Sequence, residues 1–328
     1  MRIGLFGAGR IGSVHATSVS LHPRAELAWV CDPFGDAATK LAEQHGCLAF
    51  TDVDQALGIE NVDAVLVCSA TPTHVDLLTR AVQAGKAVMC EKPIDLDLAR
   101  VDECWESISG LDPTVMVAFN RRFDPTFASI RQRVSDGGIG RLEQLIITSR
   151  DPEPPPAHYI PASGGIFRDM MIHDFDMARF FLGDVVEVQA IGANLISEGI
   201  KEAGDVDSAM VLLRGADGAL CQITNSRRCT FGYDQRLEAF GSEAMLTAAN
   251  QLPTTVRRSD ATGTEVAAPY LNFFLDRYTP AYQAELDHFV TCVETGAKPS
   301  PSFADGRAAL VLADAAGESM RTGARVRI

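Results

Sequence analysis

The chain has 328 residues, 46% of them hydrophobic, and carries a formal net charge of −14. That length suits two domains with sizeable cores, and the acidic balance argues against nucleic acid and anionic membranes as partners. Mean hydropathy is +0.04 and no apolar run approaches the roughly 18 residues of a membrane span, so no membrane association is expected.

Met1-Arg2 runs straight into an apolar strand, so no secretory leader is expected. From residue 1 to about 120, strands and helices alternate. Strands are predicted at 2–7, 25–31, 62–69, 86–91 and 114–119, with helices such as 36–45 and 74–84, the latter closed by Gly85. The strands are short unbroken apolar runs, as in Ala64-Val65-Leu66-Val67-Cys68. Such runs fit strands buried on both faces of a parallel sheet, which predicts a doubly wound α/β domain. Beyond Asn120 the pattern changes. A helix is predicted over 124–136, a strand over 141–149, and an extended loop through Pro152, Pro154, Pro155 and Pro156. A helix over 165–182 follows, then consecutive strands over 185–258 with turns at Asp217-Gly218 and Gly241-Ser242. These strands read as an antiparallel meander, and helices return at 279–294 and 303–320. The expected division is 1–120 as a dinucleotide-binding domain and 121–328 as an α+β substrate-binding and oligomerisation domain with a large, mostly antiparallel open sheet. Met210-Val211-Leu212-Leu213 is apolar without alternation, so both faces of that strand should be covered. Either a second subunit or a loop of this chain could cover the outer face; the former predicts a homo-oligomer.

The most specific motif is Gly7-Ala8-Gly9-Arg10-Ile11-Gly12, set between a short apolar strand and a helical pattern. Gly7 permits a tight turn, Gly9 lets the backbone approach a pyrophosphate, and Gly12 allows close packing of helix on strand. The helix N-terminus, opened by Arg10 and Ile11, then presents N–H groups to the phosphates. Asp32 ends the second strand, 20 residues beyond Gly12, where a carboxylate would accept the ribose hydroxyls and repel a 2′-phosphate. Pro33 and Phe34 follow it, with no cation to receive such a phosphate, so NAD is expected rather than NADP. The fold is therefore read as a Rossmann-type sheet. The eight cysteines form no C-x-x-C pair and no metal-ligand spacing; no metal is expected, and a reducing cytoplasm is the natural compartment.

In such a sheet ligands sit outside the carboxyl ends of the strands. The third strand delivers Ser69, Thr71 and His74 there, the fourth Glu91-Lys92-Pro93, and the fifth Asn120-Arg121. Thr71 and His74 fit either cofactor contact or the start of a helix. Lys92 would aim an ammonium at a substrate hydroxyl and stabilise a developing alkoxide. On the helix over 165–182, Asp169 and His173 are four residues apart on one face. A carboxylate one turn before a histidine can orient the ring as a base; a surface ion pair is the plain alternative. His15, His22, His45 and His288 show no such local partner.

These residues resemble the glucose–fructose oxidoreductase/inositol dehydrogenase/rhizopine-catabolism family of oxidoreductases. The resemblance rests on the glycine motif, Glu91-Lys92-Pro93 and Asp169-x-x-x-His173, and covers essentially the whole chain. Ser149-Arg150-Asp151-Pro152, Ser163–Met170, Ile172–Arg179 and Gly232-Tyr233-Asp234-Gln235-Arg236 look like the inositol 2-dehydrogenases in particular. It implies a dimer or tetramer through sheet faces, a cis Lys92–Pro93 bond, and a catalytic set of Lys92, Asp169 and His173. It also implies a polyol pocket lined by Asn120, Arg121, Asp151 and Tyr233. Ser69, Thr71, His74, Glu91 and Asn120, at the strand ends, are the further cofactor contacts expected. The expected activity is NAD-dependent oxidation of a cyclic polyol, myo-inositol first. Another inositol or sugar, or an NAD-dependent glycosidase, remains the alternative.

Overall fold

The computed structural model describes residues 1–328, the side chain of Ala157 excepted. The chain forms two compact units: residues 1–123 with 281–310, and residues 124–280 with 311–328. A single boundary at residue 120 therefore does not divide it. The reason is apolar burial: Leu286, Phe289 and Val290 pack into the same core as Ile3, Leu5, Leu66, Met89 and Met116.

The first unit is built on six parallel strands. They are β1 (Arg2–Phe6), β2 (Glu26–Cys31), β3 (Leu48–Phe50), β4 (Ala64–Val67), β5 (Ala87–Glu91) and β6 (Val115–Ala118), in the order β3-β2-β1-β4-β5-β6. The order reverses between β1 and β4, which opens a crevice at their carboxyl ends. β4 and β6 are buried along their whole length, as their unbroken apolar runs require. β3 was not legible in the sequence: it has three residues at the sheet edge, two of them exposed. The connecting helices are α1 (Arg10–Leu21), α2 (Gly35–His45), α3 (Val53–Leu57), α4 (His74–Gln83) and α5 (Leu98–Ile108). The Lys92–Pro93 bond is cis, as the family resemblance implied.

The second unit opens with α6 (Pro125–Ser135), capped by Asp124, whose carboxylate accepts the Thr126 and Phe127 N–H groups. Then come β7 (Leu142–Arg150), α7 (Ile160–Ser163), α8 (Gly165–Asp169), α9 (Ile172–Leu182), β8 (Val185–Ala193) and α10 (Glu198–Glu202). They are followed by β9 (Ser208–Gly215), β10 (Leu220–Ser226), β11 (Asp234–Gly241) and β12 (Met245–Ala248). A separate hairpin of β13 (Arg257–Asp260) and β14 (Gly263–Ala267) comes next, then α11 (Phe274–Thr295), α12 (Phe303–Thr322) and β15 (Val326–Arg327). The seven-stranded sheet runs β12-β11-β7-β10-β9-β8-β15.

Two expectations are corrected here. The strands from 185 onward are not an unbroken meander, because β7 inserts between β10 and β11, parallel to one and antiparallel to the other. Turn residues report hairpins, whereas this pairing closes over some 75 residues of chain, a distance that local signals do not encode. The helix over 165–182 is also broken, at Met170 and Met171. The Met171 N–H reaches back five residues to Ile166 O (2.8 Å), and the Asp174 N–H only three, to Met171 O (2.9 Å). Asp169 and His173 therefore stand on successive short helices rather than on one regular face.

The sheet is two-sided. Val211, Leu213, Ile223, Ile147 and Leu237 are buried on one face, which α9 covers at β7. The opposite face carries Ile191 beside Met210, then Leu212, then Leu220, with Phe240 and Met245 further along. All six are exposed, Ile191 by 65% and Leu212 by 55%. The apolar run at 210–213 therefore alternates inward and outward, and among the described residues no loop covers the outer ones, Met210 and Leu212. Among the described residues, no helix is long and apolar enough to cross a membrane.

Candidate active site

In the first unit, Gly7 adopts φ +97°, a backbone conformation that glycine alone enters without strain. A Cβ on Gly12 would lie 2.0 Å from Gly7 O, so this glycine keeps helix and loop in contact. A Cβ on Gly9 would meet nothing within 4 Å; the space there lies open at the N-terminus of α1. That end has no capping side chain, and first-turn N–H groups have no acceptor within their own helix. Asp32 reaches across to the loop: Oδ2 accepts the Ala8 N–H (2.7 Å) and Oδ1 the Phe34 N–H (2.8 Å). Each oxygen keeps a lone pair for a ribose hydroxyl. Open space, a helix N-terminus and an anchored carboxylate together fit a dinucleotide.

The other strand ends complete this half. The Ser69 hydroxyl pairs with that of Thr73 (2.6 Å), and Thr71 opens a 3-10 turn. His74 is buried at 1% exposure, with Nδ1 2.8 Å from Pro93 O and Nε2 3.0 Å from Ser69 O. Both ring nitrogens thus face backbone carbonyls, a position from which the ring braces the helix start. Glu91 ends β5 and meets His15 Nε2 through Oε1 (2.7 Å); its Oε2 lies 3.3 Å from the Lys92 N–H. His15 does have a partner, but it lies 76 residues away. Asn120 and Arg121 form a buried 3-10 turn after β6.

In the second unit, Asp169 receives the Tyr159 hydroxyl on Oδ1 (3.1 Å) and faces Arg227 Nη1 from Oδ2 (3.4 Å). Arg227 is 1% exposed and stands 3.7 Å from Asp205 as well, lying between two carboxylates. Burial pushes the Asp205 carboxyl up, and the neighbouring Asp169 adds to the rise. Next to His173, Asp174 is fully buried and accepts Ser149 Oγ (2.6 Å) and Asn225 Nδ2 (2.8 Å) from adjacent strands β7 and β10. This fastens the first turn of α9 to the sheet. Asp151 follows β7, its N–H bound to Ser226 O (2.9 Å), and the Tyr233 ring packs edge-on against Tyr278. Tyr159, Asp205 and Arg227 went unnoticed in the sequence, where no spacing links them to Asp169. Among the described residues, no group of three His, Cys, Asp or Glu side chains gathers as metal ligands.

Comparison with known proteins agrees with this anatomy. Residues 1–119 match the model of an oxidoreductase family with an NAD-binding Rossmann fold, and residues 127–247 that of the GFO/IDH/MocA C-terminal domain. A protein of Rhizobium meliloti named inositol 2-dehydrogenase is 49% identical over all of this chain and 99% of its own length. The crystal structure of a myo-inositol dehydrogenase from Corynebacterium glutamicum superposes with a TM-score of 0.98 at 53% identity, covering 100% of this chain and 98% of that one. A scyllo-inositol dehydrogenase from Lactobacillus casei, solved with NAD(H) and scyllo-inositol, gives 0.91 at 27% identity, covering 100% and 98%. The first domain is an NAD-binding Rossmann domain, and the chain belongs to the GFO/IDH/MocA family of oxidoreductases.

Proposed function

We propose that this oxidoreductase oxidises a ring secondary alcohol of a cyclic polyol with NAD, myo-inositol to 2-keto-myo-inositol (scyllo-inosose) first among them. The observation that carries the reading is full-length likeness, at about half identity, to a protein named inositol 2-dehydrogenase. Bound NAD supplies the hydride acceptor. Gly7, Gly9, Arg10, Ile11 and Gly12 hold its pyrophosphate, Asp32 its adenosine ribose, and Ser69, Thr71, Glu91 and Asn120 the remainder. Asn120, Arg121, Asp151 and Tyr233 surround the polyol. His173 takes the hydroxyl proton as general base while the Lys92 ammonium hydrogen-bonds the same oxygen and stabilises alkoxide charge. Asp169, held by Tyr159 and Arg227, orients the base and balances the charge it gains.

The exposed apolar face of the large sheet is read as the contact between subunits of a dimer or tetramer. The cytoplasm is the compartment that suits eight free thiols and a nicotinamide cofactor.

The test is NADH formation from a panel of inositols and aldoses at alkaline pH. Myo-inositol should give the highest kcat/KM; another polyol in front would move the substrate assignment, and sugar release without NADH would replace the reaction. His173→Ala should lower kcat by about 10²–10⁴-fold while leaving the NADH dissociation constant unchanged. Near wild-type turnover in that variant would remove the base.

A further inference from the structure

We infer that His15 and His74 are positioning residues that grip the Glu91–Lys92–Pro93 turn from two sides and thereby set Lys92, an inference that rests on the role proposed for that lysine.

Both imidazoles are enclosed, His15 at 0% and His74 at 1% exposure. Each comes from a helix that starts beside a strand end of the cofactor crevice: α1 after β1, α4 after β4. His15 holds Glu91 Oε1 at 2.7 Å and is itself steadied by the edge-to-face ring of Tyr282. The second Glu91 oxygen lies 3.3 Å from the Lys92 N–H. On the far side His74 Nδ1 holds Pro93 O at 2.8 Å, and its Nε2 ties that contact to Ser69 O at 3.0 Å. Three consecutive residues are therefore fixed by a carboxylate, an N–H and a carbonyl, with Lys92 in the middle. Both oxygens on His74 are acceptors, so whichever ring nitrogen carries hydrogen donates to the carbonyl that faces it. His15 engages Glu91 through Nε2 alone, its Nδ1 having no hydrogen-bond partner among the described residues, so its buried polarity is spent on that one contact. An apolar side chain would fill the same volume without giving the turn a direction.

The experiment is a double-mutant cycle on the full chain. His15→Leu and His74→Leu should each lower kcat for polyol oxidation by about 10–100-fold, the scale of a catalytic group misplaced by roughly 1 Å. The NADH dissociation constant should rise by less than about fivefold, through Glu91 and Ser69 alone, because the effect on kcat acts through Lys92. In a Lys92→Met background the same changes should cost less than about threefold. A full loss in both backgrounds, or an NADH affinity that falls as far as kcat, overturns the inference. If the leucine variants do not fold, Gln and Asn carry the cycle. His15→Gln, with a donor near the Nε2 position, should keep most of the turnover and His15→Asn, one methylene shorter, should not; equal behaviour overturns the inference. A wild type that reduces NAD with no polyol would sink the proposed function instead. The positioning role would then be decided by a crystal structure of a folded His15 variant, in which the Glu91–Lys92–Pro93 turn must shift by about 1 Å or more.

Discussion

Replacing Asp32 by serine removes a carboxylate that the structure uses twice, on the Ala8 N–H at 2.7 Å and the Phe34 N–H at 2.8 Å. A hydrogen bond to a charged group contributes about 1.5–3 kcal/mol. Serine, with one oxygen on a shorter side chain, retains at most one of the two, so the glycine loop loses an anchor worth about 2 kcal/mol. Affinity for NAD should fall by roughly 10–30-fold on that ground alone. NADP behaves in the opposite sense. A 2′-phosphate about 5 Å from the carboxylate, at an effective dielectric near 20, is repelled by about 3 kcal/mol per unit charge. Serine abolishes that term, so the ratio of kcat/KM for NADP over NAD should rise by about 10²-fold or more. Steady-state kinetics with both coenzymes, beside fluorescence titration with NADH and NADPH, read the two effects separately. A wild type that uses NADP as well as NAD would refute the reasoning, and so would a serine variant with an unchanged ratio.

The two glycines that flank the start of α1 should fail differently. Gly9→Ala meets open space, so Tm should hold while NADH binding weakens, whereas Gly12→Ala drives a methyl to 2.0 Å from Gly7 O and should lose about 1–3 kcal/mol of stability by denaturant unfolding. Leu212→Glu on the exposed sheet face should shift the mass seen by light scattering towards the monomer, and an unchanged oligomer would move the subunit contact elsewhere. Burial pushes the Asp234 carboxyl up, but hydrogen bonds from Arg236 and Asn250, with Arg150 beside them, hold it below the usual range. A depressed carboxyl contributes stability that is complete above its unfolded pKa, about 3.9, and is lost as pH falls through the lower folded value. Between pH 7 and 3 the wild type should therefore lose more Tm than Asp234→Asn, and parallel curves would refute the linkage.

The first sheet was legible because its strands are buried on both faces and so are written as apolar runs, β3 excepted. The second was legible only strand by strand. β8 and β9 lie between β7 and β10 in the chain, and nothing near residue 142 or 220 announces the pairing of β7 with β10. Nor does the run 210–213 say that Met210 and Leu212 face outward, since four apolar residues satisfy a strand with one covered face or two. The C-terminal helices presented the same problem at the scale of a domain. α11 is amphipathic wherever it packs, and only the core shared by Phe289 and Val290 with β1 and β4 decides which unit owns its latter part.

The site divides along the same line. Gly7, Gly12 and Asp32 could be found because their chemistry is tied to spacing: a fixed turn, a helix start, and one strand to the next. The residues that hold the proposed catalytic groups obey no spacing. His15 and Glu91 are 76 residues apart, Asp169 and Arg227 58, and Asp174 and Asn225 51, and each pair is brought together only by the sheet it crosses. Buried polar side chains with distant partners look, in one dimension, like any other residue in a core. Their burial is what makes them informative. Arg227 at 1% exposure is tolerable only opposite carboxylates, and Asp174 only under the hydroxyl and amide of two neighbouring strands. A chain selected for stability alone would do as well or better with apolar residues at these positions. Their presence beside Asp169 and His173 follows if the side chains that need a fixed direction are the ones that carry the reaction.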